Sequence, residues 1–330
     1  MAAVPSRMTY RVRAALAAAL VCSAGLGSHE AAGSQTPRRE AITSRRQPDA
    51  MAASAGSLQD RARSTPLPRR IVSFIPATTE MLFAMGAGDR LVGVSSYDRF
   101  PPAVDRLPRV GGLLDPNVER LLSLKPDLVL VYDTQSDLKQ QLTRAGIPIF
   151  PYVHRGLADI TQTLRAIGER VGAKGAADSA ARRIEDQLAA VKARVAARSR
   201  PRTLLVFGRE PGALSQVNAS GGYGFLHDLL ELAGGSDVLG DMNRQSVQMS
   251  TEMILTRAPD VIIELHYGDS LKRDDLDAER RVWNLLPSVP AVRNNRVYLL
   301  GGDAFVVPGP RIVVAAEQFA RTLHPEAYKQ

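Results

Sequence analysis

Residues 174–200 constrain the fold of this chain most. After Gly175 the segment contains neither Gly nor Pro. It is rich in Ala, Arg, Glu, Asp and Lys, and Ile184, Leu188, Val191 and Val195 recur at spacings of four, three and four. Such spacing draws one apolar stripe along an α-helix. The segment predicts a helix of about 24 residues, roughly 36 Å long at 1.5 Å per residue. Pro201 follows and stops it. A helix of that length between two differently patterned regions predicts two lobes joined by a stiff spine.

The flanking regions alternate short apolar runs with amphipathic segments. On the N-terminal side, Ile71–Ile75 reads as a strand. A helix through Met81–Met85 follows, with Thr78 as its cap and Gly86 and Gly88 as its stop. Then come a strand at Leu91–Val94, a helix at Val118–Leu124, a strand at Asp127–Val131, a helix at Leu138–Ala145, a strand at Ile147–Phe150 and a helix at Leu157–Val171. The C-terminal side reads as strands at Thr203–Phe207, Val261–Leu265 and Arg296–Leu300, with helices at Tyr223–Leu232, Thr251–Arg257 and Arg311–Leu323. Strands alternating with helices predict α/β lobes built on parallel sheets, Rossmann-like in outline.

The two regions echo one another. Glu119-Arg-Leu-Leu-Ser-Leu-Lys-Pro126-Asp127-Leu-Val-Leu and Glu252-Met-Ile-Leu-Thr-Arg-Ala-Pro259-Asp260-Val-Ile-Ile run in register 133 positions apart. Each Glu opens a short amphipathic helix, Pro-Asp turns the chain, and an apolar strand follows. Acidic residues favour helix starts and Pro-Asp favours turns, so each element has a local reason. Their coincidence over twelve positions predicts two similar lobes with Glu119 and Glu252 in equivalent places.

The charge of +8 first suggests nucleic acid or a membrane surface. Residues 1–69, however, hold ten basic and four acidic side chains, leaving the rest nearly neutral. No RNA-binding, zinc-finger or arginine-stripe pattern occurs there, so nucleic acid is excluded as a partner. The basic start has the grammar of a signal peptide over residues 1–27. Arg7, Arg11 and Arg13 precede the apolar run Ala14–Val21, and small residues follow. The single cysteine, Cys22, is a candidate lipid acceptor, although Val21 before it is not the small residue such sites prefer. Residues 28–69 read as a disordered linker. The expected organisation is an N-terminal lobe at 70–173, the bridging helix at 174–200, and a C-terminal lobe at 201–330, in a monomer exported to the periplasm or secreted.

Catalytic signals are sparse. There is no Gly-x-Ser-x-Gly elbow, and Gly221-Gly222-Tyr223-Gly224 lacks the Lys-Ser/Thr of a phosphate loop, so it reads as a helix-capping turn. His154, His227, His266 and His324 show no metal-ligand spacing. His154 and His266 both follow apolar strands, where open α/β sheets form ligand crevices. A structural role, a solvated role and axial ligation of a ligand-borne metal all remain open for these two. Tyr97, Tyr132, Tyr152, Tyr267 and Phe305 sit past strand ends or in loops, suited to the face of a planar ligand. Trp283 reads as core.

Ile71-Val-Ser-Phe-Ile-Pro-Ala-Thr-Thr-Glu80, Gly93-Val-Ser-Ser-Tyr97 with Phe100-Pro-Pro102, the Glu119 to Pro126-Asp127 stretch, and Asp303 with Pro310-Arg311 together resemble the cobalamin, iron-siderophore and haem binding proteins of ABC importers. The similarity covers about 70–328. It implies a ligand held in a cleft between lobes and one surface Glu per lobe, here Glu119 and Glu252, docking onto arginines of a membrane permease that works with an ATPase. It also implies that Tyr97 and Tyr132 line one side of the cleft, and Phe207, Asp303 and Phe305 the other. Where the cobalamin binder has cleft tryptophans, this chain has Leu113, Ser246, Ala304 and Tyr132, which gives less stacking area. Arg155, Arg209 and Arg244 are candidates for meeting anionic chelates, although solvation is the plainer reading of each. The resemblance therefore implies a solute receptor, not an enzyme, for a corrinoid or another metal chelate, with no cofactor of its own. The other classes are an exported hydrolase or oxidoreductase on the same scaffold, and a ligand scavenger without a permease.

Overall fold

The computed structural model describes residues 66–267 and 273–329. The expected signal peptide with Cys22, and the linker up to residue 65, lie outside the described residues. Arg69 and Arg70 already belong to the folded lobe, because their backbone N–H groups both donate to the Asp127 carboxylate at 2.8 Å.

The N-terminal lobe starts with β1 (Ile71–Ser73), all of it buried. Helix α1 (Pro76–Ala84) follows, with Pro76 at its first position, where a missing N–H costs nothing. The helix thus starts earlier than the sequence suggested. Thr78 lies inside its first turn rather than capping it, and its hydroxyl donates to the Ile75 carbonyl at 3.0 Å. Next come β2 (Leu91–Val94), α2 (Val118–Ser123), β3 (Leu128–Tyr132), α3 (Ser136–Arg144), β4 (Ile149–Tyr152) and α4 (Ala158–Arg170). The four strands form one sheet in the order β2-β1-β3-β4, every pair parallel.

Helix α5 (Lys174–Val195) is the expected spine, 22 residues long. Ile184, Leu188, Val191 and Val195 are all buried on its inner face. It packs closely on α4, since a Cβ added to Gly168 would lie 2.2 Å from Ala177 Cβ. One hydrophobic cluster runs from the N-terminal sheet, through this face, to Leu205, Phe207, Leu229 and Phe319 of the C-terminal lobe.

That lobe contains β5 (Arg202–Gly208), β6 (Val217–Gly221), α6 (Phe225–Leu232), β7 (Ser236–Asp237), β8 (Arg244–Met249), α7 (Thr251–Arg257), β9 (Val261–His266), α8 (Arg273–Val282), α9 (Pro290–Arg293), β10 (Val297–Gly301) and α10 (Ile312–Leu323). Its sheet runs β10-β9-β5-β6-β8, with β7 beside the start of β5. The pairs among β5, β9 and β10 are parallel, whereas β6 and β8 pair antiparallel. These last two strands were not expected from sequence, because Val-Asn-Ala-Ser-Gly and Arg-Gln-Ser-Val-Gln-Met lack an apolar run. A second cluster on the far face of β5 and β9 includes Leu204, Val206, Ile262 and the fully buried Trp283.

The echo extends to the backbone. Asn117 and Ser250 cap α2 and α7 by accepting from Arg120 N and Met253 N. Lys125 and Ala258 both turn the chain with φ near +45°, at 46° and 43°. Arg70 donates to the Leu124 carbonyl at 2.6 Å, and Arg202 does the same to Arg257 at 2.7 Å.

Candidate functional site

In parallel sheets, ligand crevices open at the carboxyl ends of the strands. The expected site residues gather at those ends. Tyr97 and Asp98 follow β2, Tyr132 ends β3, His154 follows β4, His266 ends β9, and Asp303 follows β10. Gln135 ties the N-terminal rim together. Its Oε1 accepts from Tyr132 N at 3.1 Å, and its Nε2 donates to the Leu113 carbonyl at 3.1 Å. The same loop carries Gly112, whose missing side chain makes room for Tyr97: an added Cβ would sit 2.3 Å from that ring.

The rim holds buried polar atoms that a ligand can satisfy. Neither carboxylate oxygen of Asp98 has a well-formed hydrogen bond, nor do Thr79 Oγ1, Tyr152 Oη or either ring nitrogen of His154. Buried polar groups are normally paired, so such a gathering marks a site. Burial pushes the Asp98 carboxyl up to about 7; the Thr79 hydroxyl, Ser95 and Arg109 oppose this, while Glu80 adds to it. Burial also lowers the His154 imidazole to about 4, against the pull of Asp159, so the ring is neutral at pH 7.

The two lobes meet at the same place. Glu80 on α1 accepts from Arg311, at the start of α10, through both oxygens at 2.5 and 3.0 Å. The Arg311 guanidinium also stacks 4.4 Å from the Phe100 ring centroid. Tyr267, at the end of β9, is raised to about 12, chiefly by burial and then by Asp303 of its own lobe, with Asp98 and Tyr97 of the other lobe contributing. Behind the rim, Tyr132, Tyr152, His154 and Phe225 form a run of ring contacts, with centroids 6.0, 6.1 and 5.0 Å apart, that crosses from β3 and β4 to α6. His154 is therefore both an interlobe packing group and a neutral imidazole without a hydrogen bond.

Other expected residues lie elsewhere. Phe207 is buried to the same degree as Tyr132, and Phe305 stacks on Phe319 at 5.9 Å, so these rings pack into the wall behind the cleft. Arg209 is not solvated. It is buried against Glu264 at 3.0 Å and Glu279 at 2.9 Å, and Trp283 Nε1 donates to the same Glu264 at 2.8 Å. His266 Nε2 lies 3.0 Å from Glu264. Burial alone raises the Glu264 pKa, but His266, Arg209 and Trp283 together hold it below the usual carboxylate range. His266 thus belongs to a structural cluster at the end of β9. Arg155 is exposed, bonded through its backbone N–H to Asp159, and Arg244 is an exposed residue of β8. Gly224 caps α6 with φ of 95°, as a helix-capping turn requires.

Sequence reasoning missed Asp98, Glu80 and Arg311 as a group. Only the resemblance motif contained the last two, and nothing in the spacing places residue 80 beside residue 311. A cavity of about 670 Å³ lies away from the strand ends, between α4, α5 and α6. Two of its charged walls are engaged, with Arg200 on Glu231 and Asp228 accepting from Leu157 N.

Glu119 and Glu252 are exposed residues in the first turns of α2 and α7.

A periplasmic binding protein family model matches residues 71–304. The chain belongs to the periplasmic binding protein family. The family is made up of solute-binding proteins. This periplasmic binding protein is 29% identical over 268 residues to an uncharacterised ABC transporter substrate-binding lipoprotein of Bacillus subtilis, covering 80% of this chain and 82% of the relative. It is 31% identical over 257 residues to a vitamin B12-binding protein of Yersinia pestis, covering 77% and 86%. Among solved structures, the haem-binding protein RhuT of a Roseiflexus species superposes with a TM-score of 0.68 over 78% of this chain and 99% of that one, at 24% identity. The family match runs from β1 through the bridging helix and into the C-terminal lobe as far as residue 304.

Proposed function

We propose that this periplasmic binding protein captures a corrinoid in the cleft between its lobes and delivers it to an ABC permease and its ATPase. The observation that carries this reading is the convergence of Tyr97, Tyr132 and Tyr267 on a rim whose unpaired buried atoms include Asp98 and His154. Planar rings suit the flat faces of a macrocycle. The Asp98 oxygens and one ring nitrogen of the neutral His154 can accept, and the other ring nitrogen donates; a corrin's fringe of amides offers both N–H donors and carbonyl acceptors to meet them.

The rim cations are already committed. Arg311 binds Glu80, Arg109 donates to the Ser95 and Asp98 carbonyls at 3.1 and 2.9 Å, and Arg99 donates to Ser96 and Asp98 carbonyls. A ligand edged with carboxylates would find few partners there. The 31% identity to a vitamin B12-binding protein supports the same choice.

A second reading, a haem or ferric siderophore, draws on one observation. The neutral, unpaired His154 ring is a competent metal ligand. Because the lobes share one core through α5, the cleft is largely pre-formed and closes little on binding.

Glu119 and Glu252 each meet an arginine of the permease through a charge-assisted hydrogen bond. The leader carries the protein out of the cytoplasm. The test is uptake by cells carrying the Glu119→Arg, Glu252→Arg double variant. Transport falls while the purified variant still binds ligand; unchanged uptake would remove the docking role and favour a free scavenger.

A further inference from the structure

Two of the exposed large apolar side chains share a register. Leu122 on α2 and Leu255 on α7 lie 133 positions apart, with 42% and 41% of their surface open. Each lies three residues after its lobe's Glu, a spacing that puts two side chains on one helix face about 5–6 Å apart. Between them, Leu121 and Ile254 are fully buried and anchor the two helices in the same rotation. The caps at Asn117 and Ser250, the left-handed turns at Lys125 and Ala258, and the Pro-Asp pairs fix the frame identically. Ser123 matches Thr256 as an exposed hydroxyl, whereas Arg120 against Met253 and Leu124 against Arg257 differ. The two lobes therefore agree on their outer surface in a carboxylate, a leucine and a small hydroxyl, of which the leucine alone is a large apolar group.

We propose that Leu122 and Leu255 are apolar anchors of the permease-docking surface, each entering an apolar recess beside the cation that receives Glu119 or Glu252. The proposal rests on the docking reading given above and names its missing half. A single exposed leucine needs no explanation. A matched pair, each beside a carboxylate, does. An ion pair open to water contributes little. An apolar side chain packed beside it excludes water, strengthens the pair, and adds the area burial that a carboxylate cannot supply. The occupant is a membrane permease of complementary charge that presents two equivalent recesses, because one chain presents two equivalent patches.

The test uses the mature protein and nanodiscs carrying the source organism's permease–ATPase complex, with binding followed by interferometry. Leu122→Ser and Leu255→Ser each weaken the complex about fivefold, and together about twentyfold, at both low and high salt. Their affinity for cobalamin and their melting temperature match the parent's. The Glu119→Gln, Glu252→Gln variant weakens it too, but mainly at low salt. A leucine double variant that binds as tightly as the parent, while the glutamine variant loses binding, overturns the anchors and leaves docking intact. A glutamine variant that binds like the parent at low salt overturns the docking reading and the anchors with it.

Discussion

Glu80 and Arg311 are 231 residues apart in sequence and form a two-point ion pair across the lobes, at 2.5 and 3.0 Å. Glu80 is nearly inaccessible, whereas Arg311 retains 24% of its surface. That asymmetry decides what each deletion does. Arg311→Ala leaves a buried carboxylate unpaired and is expected to cost about 3 kcal/mol. Glu80→Gln leaves a cation that can still reach water and is expected to cost about 1 kcal/mol. Urea denaturation of the two variants checks this order; an equal loss would mean that the pair is not buried as described.

Asp98 gives the protein a pH dependence of known sign. Its carboxyl sits at about 7 in the fold against an ordinary 3.8 for a free aspartate, because burial disfavours the charge. Between those values the folded state holds the proton that the unfolded state has lost. Stability from this group is therefore full below about pH 4 and declines as pH rises through 7. Asp98→Asn removes that decline. Relative to the parent, the variant is expected to gain about 4 kcal/mol between pH 4 and pH 8, at roughly 1.4 kcal/mol per unit of pKa. A parent-to-variant difference that stays flat with pH would contradict this.

Gly112 makes room for Tyr97. Its backbone is not left-handed, so Gly112→Ala tests crowding alone, with the new Cβ 2.3 Å from the ring. The ring must swing away from the rim. We expect a small loss of stability, under about 1 kcal/mol, and a loss of ligand affinity of about tenfold, read by calorimetry.

Leu188 lies on the buried face of the bridging helix, inside the cluster shared by both lobes. Leu188→Ala is expected to cost about 2–4 kcal/mol. Because the core is continuous, heat should still unfold the described lobes in one transition. Two separated transitions would show that the spine connects the lobes without coupling them.

The legibility of this molecule in its sequence divides along physical lines. The spine was readable because a 3.6-residue period over several turns has few other meanings, and Ile184 to Val195 are buried as that period required. The parallel strands were readable because burial on both faces forces continuous apolar runs, as in Leu128–Tyr132 and Val261–His266. Strands β6 and β8 were not, since a strand near a sheet edge needs no such run. At the cleft, the sequence reading put Tyr97, Tyr132 and His154 past apolar strands or in loops, and they lie at the carboxyl ends of β2, β3 and β4. Strand-end position does not say which way a ring turns: Phe305, read that way, and Phe207, which only the resemblance implied, both pack into the core. Arg209 was misread for a related reason: its buried partners Glu264 and Glu279 come from distant elements. Glu80 with Arg311 is the same case across lobes.

The central claim is that the rim between the lobes binds a corrinoid. Titration calorimetry of the purified mature protein with cobalamin, cobinamide, haem and a ferric siderophore tests it most directly. The account predicts one site per chain for cobalamin or cobinamide, tighter than for haem or the siderophore, and weakened by Tyr132→Ala. Tighter binding of haem or the ferric chelate, or no binding of either corrinoid, would contradict it.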